Sequence, residues 1–330
     1  LIQESQHSDP SPFLAGEGDP SQDVRPIVVL LGPTAVGKTA ISVDLAERWN
    51  AEILIADSMQ VYQHMEIGTA KPSAEERARV PHHLLDLVEP DQPFTAGDFR
   101  RLAEAKVREI WERERLPLIV GGCGLYIRAL ADGLFFGPSQ GPEIRERLQK
   151  LAQEKGGEAL RKRLALLDPL SAERIHPHDT YRIVRALEIF EATGKKPSEV
   201  RGAHWPRRKG RAFFFIGLSR PRSSLYRLIE ERIDSMIEEG FLLEVKALLA
   251  RFSADCKPFR GLGYRHMIHY LQGKWGWEEM VSLWKRDTRR YAKRQLTWFS
   301  RDDRIHWFSL EEGQEEACRR IQEFIKSELS

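Results

Sequence analysis

The first strongly apolar stretch of the chain, at 27–31, reads Ile-Val-Val-Leu-Leu with no polar alternation. A short unbroken run bounded by turn residues predicts a strand covered on both faces. Comparable runs recur at 51–56, 118–120 and 212–218, with helical stretches at 40–49 and 95–115 between them. This alternation predicts a parallel α/β sheet flanked by helices, whose ligands bind at the carboxyl ends of the strands. The segment 137–210 is different in texture. It is highly charged, helical in period at 144–151 and 181–192, and broken by Pro, Gly and His, which predicts a mostly helical insertion domain. Beyond 218 the pattern is helical, most clearly at 225–249 and 280–299. Residues 1–25, rich in Ser, Pro, Gly, Asp and Gln, have little to bury and are expected to form a flexible extension. The expected organisation is therefore a core of 26–136 and 211–330 interrupted by 137–210, without internal repeats.

Composition narrows the picture modestly. At 330 residues the chain has room for a large core and a second lobe. With 51 basic and 49 acidic residues, the formal charge of +2 says little about partners. The distribution says more: 285–301 carries seven basic residues and one acid, Asp287. Cys123, Cys256 and Cys318 are widely spaced and give neither a disulfide framework nor a zinc site, which points to a reducing cytoplasm. No apolar run approaches the length of a membrane span, and no secretory signal pattern opens the sequence.

Gly32-Pro33-Thr34-Ala35-Val36-Gly37-Lys38-Thr39 follows the first apolar run directly and fits G-x-x-x-x-G-K-T. Its glycines let backbone N–H groups turn toward phosphate oxygens. Lys38 adds positive charge, and the Thr39 hydroxyl is placed to ligate a phosphate-bound Mg²⁺ at a helix start. The fold class is accordingly α/β with a P-loop NTPase-like core, although the motif does not say whose phosphate is held. Asp57, ending the second run, is a carboxylate beside that loop, able to orient a nucleophile or merely to cap the next turn. A second glycine turn, 121–124, follows the third run. Basic and aromatic residues interleave at 293–299. His82 and His83 have no acid or thiol at metal spacing and are expected to be structural.

Together G-P-T-A-V-G-K-T, D-S-M-Q-V-Y, G-T-A-K-P, H-H-L-L-D, G-G-C-G-L-Y, R-I-V-R-A-L-E, G-L-G-Y-R and K-R-Q-L-T-W resemble, in order, the motifs of the bacterial tRNA dimethylallyltransferases. The resemblance runs from about residue 27 to 307. It implies a monomeric, cytoplasmic enzyme that uses dimethylallyl diphosphate, Mg²⁺ and tRNA. The dimethylallyl group would go to N6 of the adenosine 3′-adjacent to the anticodon in tRNAs reading codons that begin with U. On this reading the phosphate loop holds the donor's diphosphate and hydrolyses no ATP. Catalytic roles carry over to Asp57, as acceptor of the N6 proton, and to Lys38, Cys123 and Arg232. Contacts with tRNA carry over to Asp57, Ser58, Met59, Gln60, Cys123 and Arg145, and to Tyr181, Arg182, Ile183, Val184 and Arg185. They extend to Arg260, Gly261, Leu262, Gly263, Tyr264 and Arg265, and to Lys293, Arg294, Gln295, Leu296, Thr297, Trp298, Phe299 and Ser300.

Two positions depart from the family pattern. Cys123 stands where a threonine is usual, and Leu228 where an arginine is frequent, with Arg227 next to it. Three other readings fit the loop: prenylation of free adenine nucleotides, a P-loop nucleotide kinase, and an RNA-binding NTPase switch. The insertion and the basic stretch argue against the first, no kinase-like lid is recognisable for the second, and hydrolysis of ATP alone would mark the third.

Overall fold

The computed structural model describes residues 25–133, 142–202 and 211–329; the expected extension at 1–25 lies almost wholly outside them. Six strands form one parallel sheet in the order β3-β2-β4-β1-β5-β6. They are β1 (Arg25–Leu31), β2 (Ala51–Ile55), β3 (His82–His83), β4 (Leu116–Gly121), β5 (Arg211–Ser219) and β6 (Ile305–Ser309). Central β1 pairs Val28 with Leu118 of β4 on one side and with Phe214 of β5 on the other. Every residue of β1 after Arg25 is buried, as a strand with both faces covered requires. The four long strands match the apolar runs. β3 and β6 do not stand out in the sequence, since one has two residues and the other buries Ile305 and Phe308 without alternation.

Helices α1 (Lys38–Trp49), α2 (Ala74–Arg79), α3 (Ala96–Glu112) and α4 (Gly124–Ala131) fill the first half of the core. Asn50 ends α1 in a left-handed conformation, and Thr95 with Asp98 closes a capping box at the start of α3. After β5 come α9 (Arg222–Glu238), α10 (Phe241–Leu249), a 3-10 turn (Lys257–Arg260), α11 (Tyr264–Leu271), α12 (Trp277–Phe299) and α13 (Gln314–Leu329). The helical pattern at 225–249 is thus two helices, parted at Gly240.

Between Asp132 and β5 the chain forms a second compact unit: α5 (Pro142–Leu167, broken at Gly156), α6 (Pro169–Arg174), α7 (Thr180–Thr193) and α8 (Pro197–Gly202). It has its own apolar centre, including Leu148, Leu160, Leu164, Ile183 and Leu187. The first segment of the core unit ends at Ala131, the last residue of α4, which packs on α3; the expected boundary at 136 lies outside the described residues. Among the described residues no helix is long and apolar enough to cross a membrane.

Candidate active site

Three strand ends build the site. Gly32 follows β1, Asp57 follows β2 and Gly122-Cys123 follows β4, so the first two motifs and the glycine turn meet at the carboxyl edge of the sheet. Gly37, with φ 109°, lets the phosphate loop turn into the N-terminus of α1, a conformation costly for a residue with a Cβ. The Lys38 ammonium rests on the carbonyls of Gly32, at 3.1 Å, and Pro33, at 2.8 Å. Burial and the nearby Arg232 lower its pKa to about 8, against the opposing pull of Asp57. Burial also lowers the pKa of Arg232, and Asp57 again opposes the shift. Two cations and one carboxylate therefore share one low-dielectric region.

A cavity of about 590 Å³ opens here. Thr34, Ala35, Asp57 and Ser58 line one side, and Arg232, Arg260, Arg265, Arg290 and Arg294 supply cations around it. Met59, Ile229, Ile233, Met236, Leu262 and Trp284 make an apolar wall. Asp57 Oδ1 accepts the Met59 N–H at 2.8 Å, so the carboxylate caps its turn while it still lines the cavity. Such a pocket suits a ligand with an anionic end and a short hydrocarbon part.

Cys123 immediately precedes α4, and its N–H donates to Ala56 O at 3.2 Å. A helix start normally favours a thiolate, yet burial and Asp57 push this thiol up to about 11 despite bonds from Tyr126 and Ser58. It is a neutral group in the site. Tyr291, which the sequence reading did not single out, lines the same cavity; burial, Asp57 and Cys123 raise its hydroxyl pKa.

Two distant motifs meet at α12. A Cβ on Gly122 would approach Gln295 Nε2 to 2.3 Å, and one on Gly124 would approach the Trp298 indole to 2.2 Å. The glycines of the turn are therefore the surface on which the Lys293–Trp298 motif packs. Gln295 was expected to contact tRNA but is only 7% exposed and spans Thr34 and Gly122 internally.

Other residues expected to contact tRNA also make internal bonds or pack in the core. Gln60 donates to Thr69 O and Ala70 O at 3.0 and 3.1 Å. Tyr264 is fully buried and donates to Glu244 at 2.6 Å, and Phe299 is in the core. Leu296 packs on the core, whereas Lys293, Arg294, Thr297, Trp298 and Ser300 are exposed. Gly263, with φ 80°, directs the turn into α11 rather than lining the cavity. In the helical unit, Ile183 and Val184 belong to its apolar centre, so their side chains are unavailable to a surface partner. Around them Tyr181 is 70% exposed, Arg182 faces Asp179 at 3.4 Å, and Arg145 and Arg185 share Glu188 at 3.1 and 2.8 Å.

The basic stretch is less bare than its sequence. Lys285 pairs with Asp234 and Arg289 with Glu230, while Arg286 and Arg290 flank Asp287. Arg227 is paired with Glu231 at 3.7 Å, whereas Leu228 lines a second, more open groove beside α2. Glu244 is a further residue missed by the motifs: its carboxylate accepts the N–H groups of Glu66, Ile67 and Gly68 and joins that loop to Tyr264. His83 bonds Glu52 of β2 at 2.6 Å, a structural position as expected. Among the described residues no group of three His, Cys, Asp or Glu side chains is arranged to hold a metal.

Comparison with known proteins agrees with this layout. The family model described as IPP transferase matches residues 60–302. The chain is 48% identical to tRNA dimethylallyltransferase 2 of Geotalea uraniireducens, over 92% of this chain and 98% of that one. With tRNA dimethylallyltransferase of Alkaliphilus oremlandii the identity is 43%, over 91% and 95%. The crystal structure of tRNA isopentenylpyrophosphate transferase from Bacillus halodurans superposes with a TM-score of 0.70 at 41% identity, covering 92% of this chain and 96% of that one. A eukaryotic dimethylallyltransferase acting on tRNA gives 0.80 at 26% identity, covering 92% and 80%. Motif order, sheet topology and these likenesses coincide over nearly the whole described chain, which belongs to the IPP transferase family.

Proposed function

We propose that this chain transfers a dimethylallyl group from dimethylallyl diphosphate to N6 of the adenosine 3′-adjacent to the anticodon, in tRNAs reading codons that begin with U. The products are N6-(dimethylallyl)adenosine and diphosphate. The observation that carries the reading is the cavity in which Asp57, the phosphate loop and Arg232 converge beside an apolar wall. Membership of a family with relatives named tRNA dimethylallyltransferase supports tRNA as the acceptor.

The reaction breaks the allylic C1–O bond, forms C1–N6 and removes one proton from N6. Lys38, Arg232 and the loop N–H groups at the start of α1 stabilise the negative charge that develops on the leaving diphosphate. Met59, Ile229 and Trp284 offer the hydrocarbon a dry surface. Asp57 accepts the N6 proton, and the Met59 N–H keeps its carboxylate oriented toward the acceptor. Cys123, as a neutral thiol, supplies packing and a weak donor in place of the family's hydroxyl. The adenine leaves its stack to reach these groups, as in other enzymes that modify bases.

Thr39 brings an oxygen ligand in the first turn of α1, and among the described residues no group of acids, His or Cys is arranged to hold a metal, so the residues fit a hard cation that takes most of its oxygens from the diphosphate. When bound there, Mg²⁺ neutralises diphosphate charge. The exposed Lys293, Arg294 and Trp298 of α12, with Tyr181 and Arg182 of the helical unit, meet the RNA by phosphate neutralisation and base stacking. We place the enzyme in the cytoplasm as a single chain.

The test is incubation with Mg²⁺, dimethylallyl diphosphate and unmodified tRNA, followed by nuclease digestion and mass spectrometry. One C5H8 unit on one adenosine is expected. Modification of AMP or ADP in preference to tRNA moves the acceptor to a free nucleotide.

A further inference from the structure

Gln295 joins parts of the site that the chain itself leaves separate. It sits on α12 with its amide almost fully buried. Its Oε1 accepts the Thr34 N–H at 2.9 Å and its Nε2 donates to Gly122 O at 3.0 Å. These partners, one N–H and one carbonyl, fix which way the amide points.

The Thr34 N–H belongs to the same peptide group as the Pro33 carbonyl, on which Lys38 rests at 2.8 Å. Peptide planarity makes that group a single rigid plate, gripped by Gln295 at one end and by Lys38 at the other. The far end of the Gln295 amide holds Gly122, and the next residue, Cys123, donates its N–H to Ala56 O just before Asp57. One side chain thus sets the cradle that follows β1 against the turns that carry Cys123 and Asp57.

We propose that Gln295 is a positioning residue for the diphosphate cradle rather than an RNA contact, holding the Pro33-Thr34 peptide so that Lys38 and the loop N–H groups are aligned before the donor arrives. The proposal deepens the prenyl-transfer reading, but its first test requires only that the loop bind diphosphate.

Inorganic diphosphate with Mg²⁺ is titrated calorimetrically into the parent, Gln295→Met and Gln295→Asn. The first variant keeps the volume and removes both hydrogen bonds; the second keeps an amide too short to span both partners. Each is expected to weaken diphosphate binding by about tenfold, the scale of a lost buried hydrogen bond. Steady-state kinetics should raise the donor KM to a similar extent while the tRNA KM stays within about threefold, on the same energetic scale. A residue that only supports α12 would give the reverse split, since α12 carries the exposed basic face. If Gln295→Met fails to fold, Gln295→Asn decides. Parental diphosphate affinity in the folded variants, absence of diphosphate binding by the parent, or a tRNA KM that moves instead of the donor KM overturns the proposal. Absence of prenyl transfer by a parent that binds diphosphate with the predicted Gln295 dependence would refute the functional reading alone.

Discussion

Lys38 and Arg232 are close enough to Asp57 for its charge to act on both, whereas four of the seven basic residues in 285–301 are already paired with acids of the same unit. The two groups carry the same charge in opposite surroundings. Burial lowers the pKa of Lys38 and Arg232, so on the proposed function a diphosphate would be attracted there with less screening than on α12. On α12, water and carboxylates have already offset most of the charge. Lys293, Arg294 and Arg301 are the exposed members without an ion-pair partner among the described residues. A count of basic residues along the sequence therefore overstates the charge available to RNA and understates the part played by two half-buried cations beside Asp57.

The comparison breaks most readily at Asp57. Asp57→Asn should slow single-turnover transfer by roughly 10²–10⁴, the range for losing a positioned proton acceptor, with tRNA binding within a few-fold of the parent. Turnover near the parental rate would remove Asp57 from that role. A pH titration sharpens the buried side of the contrast. The Lys38 ammonium is present below its pKa of about 8 and lost as pH rises through it. Affinity for Mg²⁺-diphosphate should be level below that point and fall by up to about tenfold per pH unit above it. A flat profile between pH 7 and 10 would mean that the ammonium does not meet the anion.

On the exposed side, replacing Lys293 and Arg294 together by Ala should flatten the salt dependence of tRNA binding by about 1.4–1.8 units of slope, taking roughly 0.7–0.9 per phosphate. Adding Arg289→Ala should change that slope little, because Arg289 is held by Glu230. The smallest effect is expected at Cys123→Thr, which restores a hydroxyl beside Ser58 and Asp57: activity should be equal to or above that of the parent. A loss greater than about tenfold, or 1.4 kcal/mol, would give the thiol a role of its own.

Much of this arrangement was legible in the sequence because its parts are contiguous. β1, the phosphate loop and the start of α1 are one unbroken segment, and Asp57 is two residues past β2. Residues whose work depends on distant partners were not legible. Gln295 reads as a member of a basic motif, yet α12 turns it inward with Met280, Trp284, Ala292 and Phe299. That helical phase is the signal that would have found it: a polar residue at a buried position. Glu244 lies among apolar residues of α10, and only the fold brings the N–H groups of the 66–68 loop to it. β6 is short and half-exposed, and its strand character comes from pairing with β5.

The most direct test of the division between buried and exposed cations is a crossed kinetic measurement on Lys38→Ala and the Lys293→Ala/Arg294→Ala pair, with both substrates varied. The predicted result is that Lys38→Ala lowers kcat and raises the donor KM at a parental tRNA KM. The paired substitution should raise the tRNA KM well beyond any rise in the donor KM, since of the two only Arg294 also lines the donor cavity. Both proteins moving both Michaelis constants together would contradict the account.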